Sequence, residues 1–145
     1  MPGLPFLDTN LILRHTLQDH ADHSPRATAF IGHIEAGDQR VRTADAVIFE
    51  AAFTLERTYR VPRVTIRDGL WKLLSLPGVV LPGKLRYRRA FALYVAEPKL
   101  SFADCYFVAL MESLRLTDLI SFDLGFDRVA TITRKEPDSA GRLPA

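Results

Sequence analysis

Short, mostly apolar runs alternate with amphipathic segments along the sequence, and this alternation restricts the fold more than any other feature. Runs of this length that end at Pro, Gly or polar residues are typical of buried strands in a parallel sheet. The strands of such a sheet are connected by helices that cover both of its faces. The sequence therefore predicts an α/β fold, with strands over 4–7, 40–43, 79–81, 119–122 and 129–132.

The segments between these runs carry apolar residues at helical spacing. Ser24-Pro25 is a typical helix start, because serine can cap the helix and proline tolerates its first position. Gly37 ends this helix, and Thr65 and Asp68 have the spacing of a capping box at the start of another. We predict helices over 25–36, 45–59, 85–95 and 102–114, one from Thr65 to before Pro77, and one or two helical turns after Leu11.

Length and apolar pattern limit the organisation of the chain. A sequence of 145 residues can bury the core of one domain without disulfides. We predict a single domain over 1–133 and a flexible tail over 134–145, because the tail has few apolar residues. The apolar run Tyr106–Met111, like every other apolar run of the sequence, is far shorter than the roughly 20 residues of a membrane span.

The start of the chain and its cysteine content bear on the compartment. Met1–Leu7 has no basic residues, and Asp8 interrupts any hydrophobic segment of a secretion signal. Cys105 is the one cysteine and cannot form an internal disulfide, which fits a reducing environment. These features predict a cytoplasmic protein with no membrane anchor.

The net charge of +2 conceals a strongly basic segment. Residues 57–89 contain nine Lys and Arg side chains against the single acid Asp68, which gives +8 and leaves −6 for the rest of the chain. Aromatic residues are interleaved with these cations, a mixture that suits phosphate contact and base stacking. The segment indicates a polyanionic partner such as RNA, with Arg86, Arg88 and Arg89 as candidate contacts. Helices of many proteins also carry such cations on a solvated face, so this signal alone does not decide.

Four carboxylates occupy positions that a surface charge does not explain. Asp8 and Asp123 directly follow predicted strands, so they project at the carboxyl edge of the sheet, where open α/β sheets bind ligands. Asp104 lies in the first turn of a helix that is apolar on nearly all sides. Glu50 is the only polar residue of 47–53, so we expect its carboxylate near the core, where an unpaired charge is costly.

Each acid also has a purely structural explanation to weigh. Capping of the following helix or turn accounts for any one of Asp8, Asp104 and Asp123. Capping does not account for Glu50 in the middle of a helix. Several carboxylates at one sheet edge would repel one another unless a divalent cation neutralised them, and oxygen ligands favour Mg²⁺ or Mn²⁺ over zinc.

In order and setting, these residues resemble the PIN-domain nucleases, in particular the VapC-type toxins of bacterial toxin–antitoxin pairs. Phe6-Leu7-Asp8-Thr9-Asn10 resembles the opening strand and first catalytic aspartate of the family, and Val47-Ile48-Phe49-Glu50 matches its helical glutamate. Ser101-Phe102-Ala103-Asp104 resembles the third acidic motif. Ser121-Phe122-Asp123-Leu124-Gly125-Phe126-Asp127 resembles the last motif, with Ser121 where threonine is more usual.

The resemblance covers essentially residues 4–132 and implies a three-layer PIN-like domain with a short parallel sheet flanked by helices. It implies an endoribonuclease that uses one or two Mg²⁺ or Mn²⁺ ions, is commonly dimeric and is restrained by an antitoxin that covers its active site. The residues that match its catalytic and metal-binding acids are Asp8, Glu50, Asp104 and Asp123. Asp127 is a further candidate ligand, and the Ser121 hydroxyl can hydrogen-bond a neighbouring carboxylate.

Two other functions fit parts of the pattern. Asp8 after a strand resembles the nucleophile of an aspartate-based phosphatase, although Asn10 stands where that family has a second aspartate. A non-catalytic RNA-binding module on the same fold would use the basic segment and leave the acids without a role. Asn10 itself can either cap a helix or orient Asp8 and a metal-bound water. His20 and His23 have a spacing that suits metal ligands, but their polar setting favours a solvated loop.

Overall fold

A computed structural model describes residues 3–145 and divides the chain into two compact units, Met1–Leu85 and Arg86–Ala145. The first unit contains α1 (Thr9–Leu17), α2 (His23–Ala36), β1 (Val41–Arg42), α3 (Asp45–Arg57), α4 (Arg63–Leu74) and β2 (Val79–Val80). A 3-10 turn, Lys84–Arg86, leads into α5 (Tyr87–Ala96), α6 (Phe102–Ser113), β3 (Asp118–Ile120), a second 3-10 turn (Leu124–Arg128) and β4 (Thr133–Lys135). No helix in the described part of the chain is long and apolar enough to cross a membrane.

A parallel pair of strands organises the first unit. β1 pairs with β2, and Phe6 forms an isolated parallel bridge with Arg42 of β1. The backbone N–H of Leu7 donates to the Arg42 carbonyl over 2.8 Å, which holds the segment before Asp8 beside the strands. α1 packs on α2 and α3, and α3 packs on α4. The largest fully buried aliphatic side chains of this core include Ile12, Ile34, Ile48, Leu55, Ile66, Leu70 and Leu74.

Two helices and a cluster of aromatic rings form the core of the second unit. α5 packs against α6. The ring centroids of Tyr87 and Tyr106 lie 5.0 Å apart, and those of Phe91 and Phe102 lie 5.1 Å apart. Aromatic pairs at such distances contribute about 0.5–1.5 kcal/mol beyond the burial of their surface. β3 pairs with β4 in parallel and completes the unit.

The predicted α/β class with short parallel strands is confirmed, and the strands form two two-stranded pairs, one in each unit. Two strands are shorter than predicted. The strand expected over 4–7 is reduced to the bridge at Phe6. β3 covers Asp118–Ile120, so the strand expected over 119–122 ends two residues early, and its expected burial is wrong because Ile120 is 59% exposed.

The strand predicted over 129–132 is wrong in position. Val129 and Ile132 are buried, but they lie outside any strand, and β4 follows at Thr133–Lys135. An apolar run reports burial, whereas the strand is set by backbone pairing with β3. The domain boundary expected at residue 133 therefore falls within β4, and flexibility stays a prediction for the residues after this strand.

The limits of α2 show how a local hydrogen bond can displace a predicted cap. The helix begins at His23, because the Ser24 hydroxyl accepts a hydrogen bond from the His20 N–H over 3.1 Å and does not cap the helix. The predicted end at Gly37 is confirmed. Gly37 has φ 86°, a left-handed conformation that favours glycine at this position.

Candidate active site

Asp8 is the N-cap of α1. Its backbone is extended, with φ −88° and ψ 158°, and its carboxylate accepts a hydrogen bond from the backbone N–H of Asn10 over 3.3 Å. The capping explanation is therefore correct for this residue. Asp8 is nevertheless exposed, so its carboxylate remains accessible at the end of the segment that Phe6 anchors to β1.

Glu50 lies on α3 and is tied to the start of α1. The hydroxyl of Thr9 donates to Oε2 of Glu50 over 3.2 Å, and it lies 3.5 Å from the Val47 carbonyl oxygen. Glu50 is exposed, so the expectation of a carboxylate near the core is wrong. The adjoining apolar residues face the core, while Glu50 shares the exposed side of α3 with Phe53. The structure thus connects the Asp8 segment and Glu50 through Thr9, a residue to which the sequence assigned no role.

Asp104 belongs to a complete capping box at the start of α6. The Asp104 N–H donates to the Ser101 hydroxyl over 3.1 Å, and the Ser101 N–H donates to the Asp104 carboxylate over 3.4 Å. Asp104 is half-buried. A carboxylate in the first turn is stabilised by the helix dipole, so the sequence pattern fixes its position, and one of its oxygens remains outside the capping contact.

Asp123 caps the 3-10 turn that precedes β4. Its carboxylate accepts from the Gly125 N–H over 2.8 Å, and its own N–H donates to the Ser121 hydroxyl over 3.0 Å. Ser121 thus bonds the backbone of the motif and not a carboxylate. A side chain at Gly125 would place its Cβ 3.0 Å from Oδ1 of Asp123 and 3.2 Å from Cδ2 of Leu100. A side chain here would require Asp123 or Leu100 to shift by a few tenths of an ångström, because the turn lies directly against the residue that precedes the α6 cap.

Asp127, the auxiliary candidate, is occupied by an ion pair. Arg134 Nε lies 3.0 Å from one of its carboxylate oxygens, and the same guanidinium donates to the Ser121 carbonyl over 2.9 Å and to Glu136 over 2.6 Å. The side chain of Arg134 is only 11% exposed. The hydrogen bonds that Arg134 donates to Asp127 and Glu136 raise the pKa of Arg134. Sequence patterns gave no sign of this arginine, because it lies within the segment predicted as a tail.

The comparison with protein families identifies the chain. The sequence model of the PIN domain matches residues 6–132. The chain belongs to the PIN domain family. All four candidate acids of this PIN domain lie within the matched residues, and the predicted family of nucleases is confirmed.

The solved structures that are similar to this chain include that of a toxin. VapC20 of Mycobacterium tuberculosis, described as a toxin that cleaves the sarcin-ricin loop, matches at 21% identity, over 86% of this chain and 94% of that chain, with a TM-score of 0.39. A comparison with curated proteins finds no match.

The donor set of the PIN domain fits a hard divalent cation. Among residues 3–145, no Lys or Arg side chain forms an ion pair with Asp8, Glu50, Asp104 or Asp123. Carboxylate oxygens without a protein cation are the ligands that Mg²⁺ and Mn²⁺ prefer. Each unit contains two of these acids, and within either unit the described residues include no group of three or more His, Cys, Asp or Glu that could hold a metal alone.

The candidate RNA-contacting residues Arg86 and Arg89 form contacts within the second unit. Arg86 donates to the Tyr106 hydroxyl over 3.2 Å, and Arg89 pairs with Glu112 through contacts of 2.8 and 3.2 Å. The hydrogen bond from Arg89 lowers the pKa of Glu112. Arg88 is exposed on α5. The pairing of Arg89 gives it a structural role beside any contact with RNA.

Proposed function

We propose that this PIN domain is a divalent-metal-dependent endoribonuclease. One observation carries the proposal: all four acids at the family's motif positions lack a cationic partner among the described residues, whereas Asp127 is held by Arg134. The ion pair with Arg134 occupies the carboxylate oxygens of Asp127. Carboxylates that bind a metal need available oxygens, and the four acids at the motif positions satisfy that condition.

The four acids have distinct supporting contacts for this role. We assign Asp8, Asp104 and Asp123 as ligands of one or two Mg²⁺ or Mn²⁺ ions, with Glu50 as a further ligand or as an acceptor for the attacking water. When bound, the metal would activate water, orient the scissile phosphate and neutralise the leaving oxygen. Helix capping holds Asp8 and Asp104 in place, and neither needs to act as a nucleophile.

RNA binding requires positive charge, because the carboxylates of the candidate site repel a phosphate backbone. The basic segment 57–89 supplies it, because Lys and Arg side chains that neutralise phosphates provide most of the non-specific affinity for nucleic acid. Within this segment we assign Arg86, Arg88 and Arg89 as contacts of the RNA backbone. The Arg89–Glu112 pair is partly exposed, so exchange of its partner costs little.

The biological role follows from the VapC-type resemblance of the motifs. We propose that the protein is the toxin of a type II toxin–antitoxin pair, that it acts in the cytoplasm as a homodimer, and that a cognate antitoxin covers its active site. The reading frame next to its gene is expected to encode this antitoxin. A frame of unrelated function on both sides would count against the toxin role and leave the nuclease proposal standing.

Cleavage of RNA by purified variants tests the nuclease proposal. Asp8→Asn and Asp104→Asn should each lower cleavage at least about a hundredfold, because both lose a ligand charge but keep their capping hydrogen bonds. Asp118→Asn is the matched control, since Asp118 is an exposed acid paired with Lys135 at 2.9 Å and lies outside segment 57–89. Full cleavage by both site variants would contradict the proposal. Turnover of phosphomonoesters would indicate the phosphatase, and RNA binding without turnover would indicate the non-catalytic module.

A further inference from the structure

A cleft between α1 and α2 lies in the first unit, beside the Asp8 segment. Its volume is about 380 Å³, within the range of pockets that hold small ligands. The residues that line it are Asn10, Leu11, Arg14, His23, Arg26, Ala27 and Phe30. The lining therefore combines apolar side chains with two guanidinium groups and an imidazole, and it contains no acid.

The two arginines of the cleft have donors to offer. Arg14 is held by Asp19 over 2.9 Å and donates to the Tyr59 hydroxyl over 3.4 Å, but its Nε is buried without any acceptor. Arg26 contacts Asp22 over 3.2 Å, and both side chains are more than 60% exposed, at 73% and 66%. The Nε of Arg14 is closed off from the cleft, so Arg14 contributes positive charge to the lining through the rest of its guanidinium. The exposed Arg26–Asp22 pair is worth at most about 1 kcal/mol, so Arg26 can exchange Asp22 for another anion at little cost.

A flat surface borders the same cleft. The imidazoles of His20 and His23 stack with their centroids 3.9 Å apart and their planes 6° apart. Nδ1 of His20 accepts hydrogen bonds from the N–H groups of His23 and Asp22, over 2.8 and 3.2 Å, which fixes this ring. Half-buried Phe30 lines the cleft from α2. Aromatic faces of this kind stack on nucleobases of any sequence.

The position of the cleft relates it to the candidate active site. Asn10 lines the cleft, and its backbone N–H bonds the Asp8 carboxylate over 3.3 Å. A ligand in the cleft would therefore contact Asn10, the residue whose backbone N–H donates to the capping carboxylate of Asp8.

We infer that the α1–α2 cleft is a nucleotide subsite, in which Arg14 and Arg26 hold a phosphate of the RNA and Phe30 and His23 contact its base. The inference rests on the proposed ribonuclease function and adds to it one defined place for a nucleotide next to Asp8. The chemistry recognised is a phosphate joined to a planar ring, without selection for one base.

Binding of an uncleavable RNA tests the inference without catalysis. The probe is a fluorescently labelled 2′-O-methyl RNA of about ten nucleotides and mixed sequence, titrated with the full chain in EDTA over a series of salt concentrations. Arg26→Ala should weaken binding about tenfold and reduce the salt slope by about 0.7, the value for one lost phosphate contact with a single strand. Arg40→Ala is the matched control, because Arg40 is exposed and lies outside both the cleft and segment 57–89.

A second variant addresses the base contact. Phe30→Leu keeps an apolar side chain, and it should weaken binding several-fold while leaving the salt slope unchanged, because stacking involves no counterions. Unchanged affinity in both Arg26→Ala and Phe30→Leu, or equal loss in Arg40→Ala, would overturn the subsite. Loss of binding to a partner protein with RNA affinity intact would also overturn it and assign the cleft to a peptide. Because the assay needs no metal, failure of the nuclease proposal would show separately, as cleavage that survives Asp8→Asn.

Discussion

The buried hydroxyl of Thr9, a residue that is 3% exposed, donates a hydrogen bond of 3.2 Å to Oε2 of Glu50. Thr9 directly follows Asp8 and is the first residue of α1, whereas Glu50 lies on α3. The contact therefore fixes the direction of the Glu50 carboxylate relative to Asp8. The hydrogen bond restrains one carboxylate oxygen of a glutamate that lies on an exposed side of α3.

Removal of the Thr9 hydroxyl should reduce RNA cleavage with little loss of structure. Thr9→Val keeps the shape of the side chain but removes the hydrogen bond to Glu50. We expect kcat to decrease about tenfold and the unfolding free energy to decrease by about 1–2 kcal/mol. Thr9→Ser keeps the hydroxyl and should retain most of the activity. Cleavage rates at saturating RNA, with urea unfolding of each variant, give both values. Equal activity of the valine and serine variants would show that Thr9 does not position Glu50.

The α6 cap allows the structural and chemical roles of Asp104 to be separated. Ser101→Ala should lower the unfolding free energy by about 1 kcal/mol, because it removes the side-chain acceptor of the Asp104 N–H. Asp104→Asn keeps an acceptor for the Ser101 N–H, so we expect a smaller loss of stability and a much larger loss of cleavage. Urea unfolding and RNA cleavage measured on the same samples provide the comparison. The opposite order, with Ser101→Ala the less active variant, would make Asp104 a capping residue only.

The Arg89–Glu112 pair predicts a defined dependence of stability on acid. Hydrogen bonding from Arg89 lowers the pKa of Glu112 below its ordinary value of 4.5 in the folded state. The pair therefore contributes its full stabilisation above about pH 4.5, and the contribution is lost as the pH falls through the lower, folded pKa. Glu112→Gln should lower the unfolding free energy by at most about 1 kcal/mol at pH 7 and should show a weaker decrease between pH 5 and 3. Urea unfolding followed by circular dichroism over this range measures the difference, and parallel curves for the two proteins would refute it.

Several features of the fold could be predicted because they depend on local sequence. The apolar spacing of α3 and α6 and the glycine at the end of α2 placed these helices within a few residues of their observed limits. Helix starts were less predictable where side chains had competing partners. α4 begins at Arg63, directly after Pro62, so the spacing of Thr65 and Asp68 does not mark its start.

The capping contacts of the candidate acids could be predicted from the sequence, whereas the environment of these acids could not. Asp8 directly precedes α1, and Ser101 and Asp104 have the spacing of a capping box. The capping contacts of Asp8 and Asp104 follow from these positions. The exposure of Glu50 was missed because the prediction used its apolar neighbours in sequence, whereas the buried residues Val47, Ile48, Ala51, Ala52 and Leu55 form one face of α3 and Glu50 lies outside that face. The ion pair of Asp127 depends on Arg134, whose approach requires the pairing of β3 with β4.

Expression in bacteria without a partner protein tests the toxin role. We expect growth arrest on induction, since an unrestrained endoribonuclease degrades cellular RNA, and we expect growth to return with Asp8→Asn. Asp118→Asn, which makes the same change at an exposed ion pair outside segment 57–89, should still arrest growth. Optical density after induction, with protein levels checked by immunoblot, measures the effect. Arrest of equal strength by Asp8→Asn would attribute toxicity to misfolding or to RNA binding alone.

Divalent metal should stabilise the folded protein through the same acids. A ligand that binds only the folded state at a hundred times its Kd adds about 2.7 kcal/mol to the unfolding free energy, which raises Tm by roughly 5–10 °C for a domain of about 150 residues. We expect this rise with Mg²⁺ or Mn²⁺, its reversal by EDTA, and its loss in Asp8→Asn and Asp104→Asn. Asp68→Asn should respond as the wild type does, because its carboxylate is paired with Arg67. Thermal unfolding at increasing metal concentration provides the measurement, and a rise of equal size in all four proteins would place the metal away from Asp8 and Asp104.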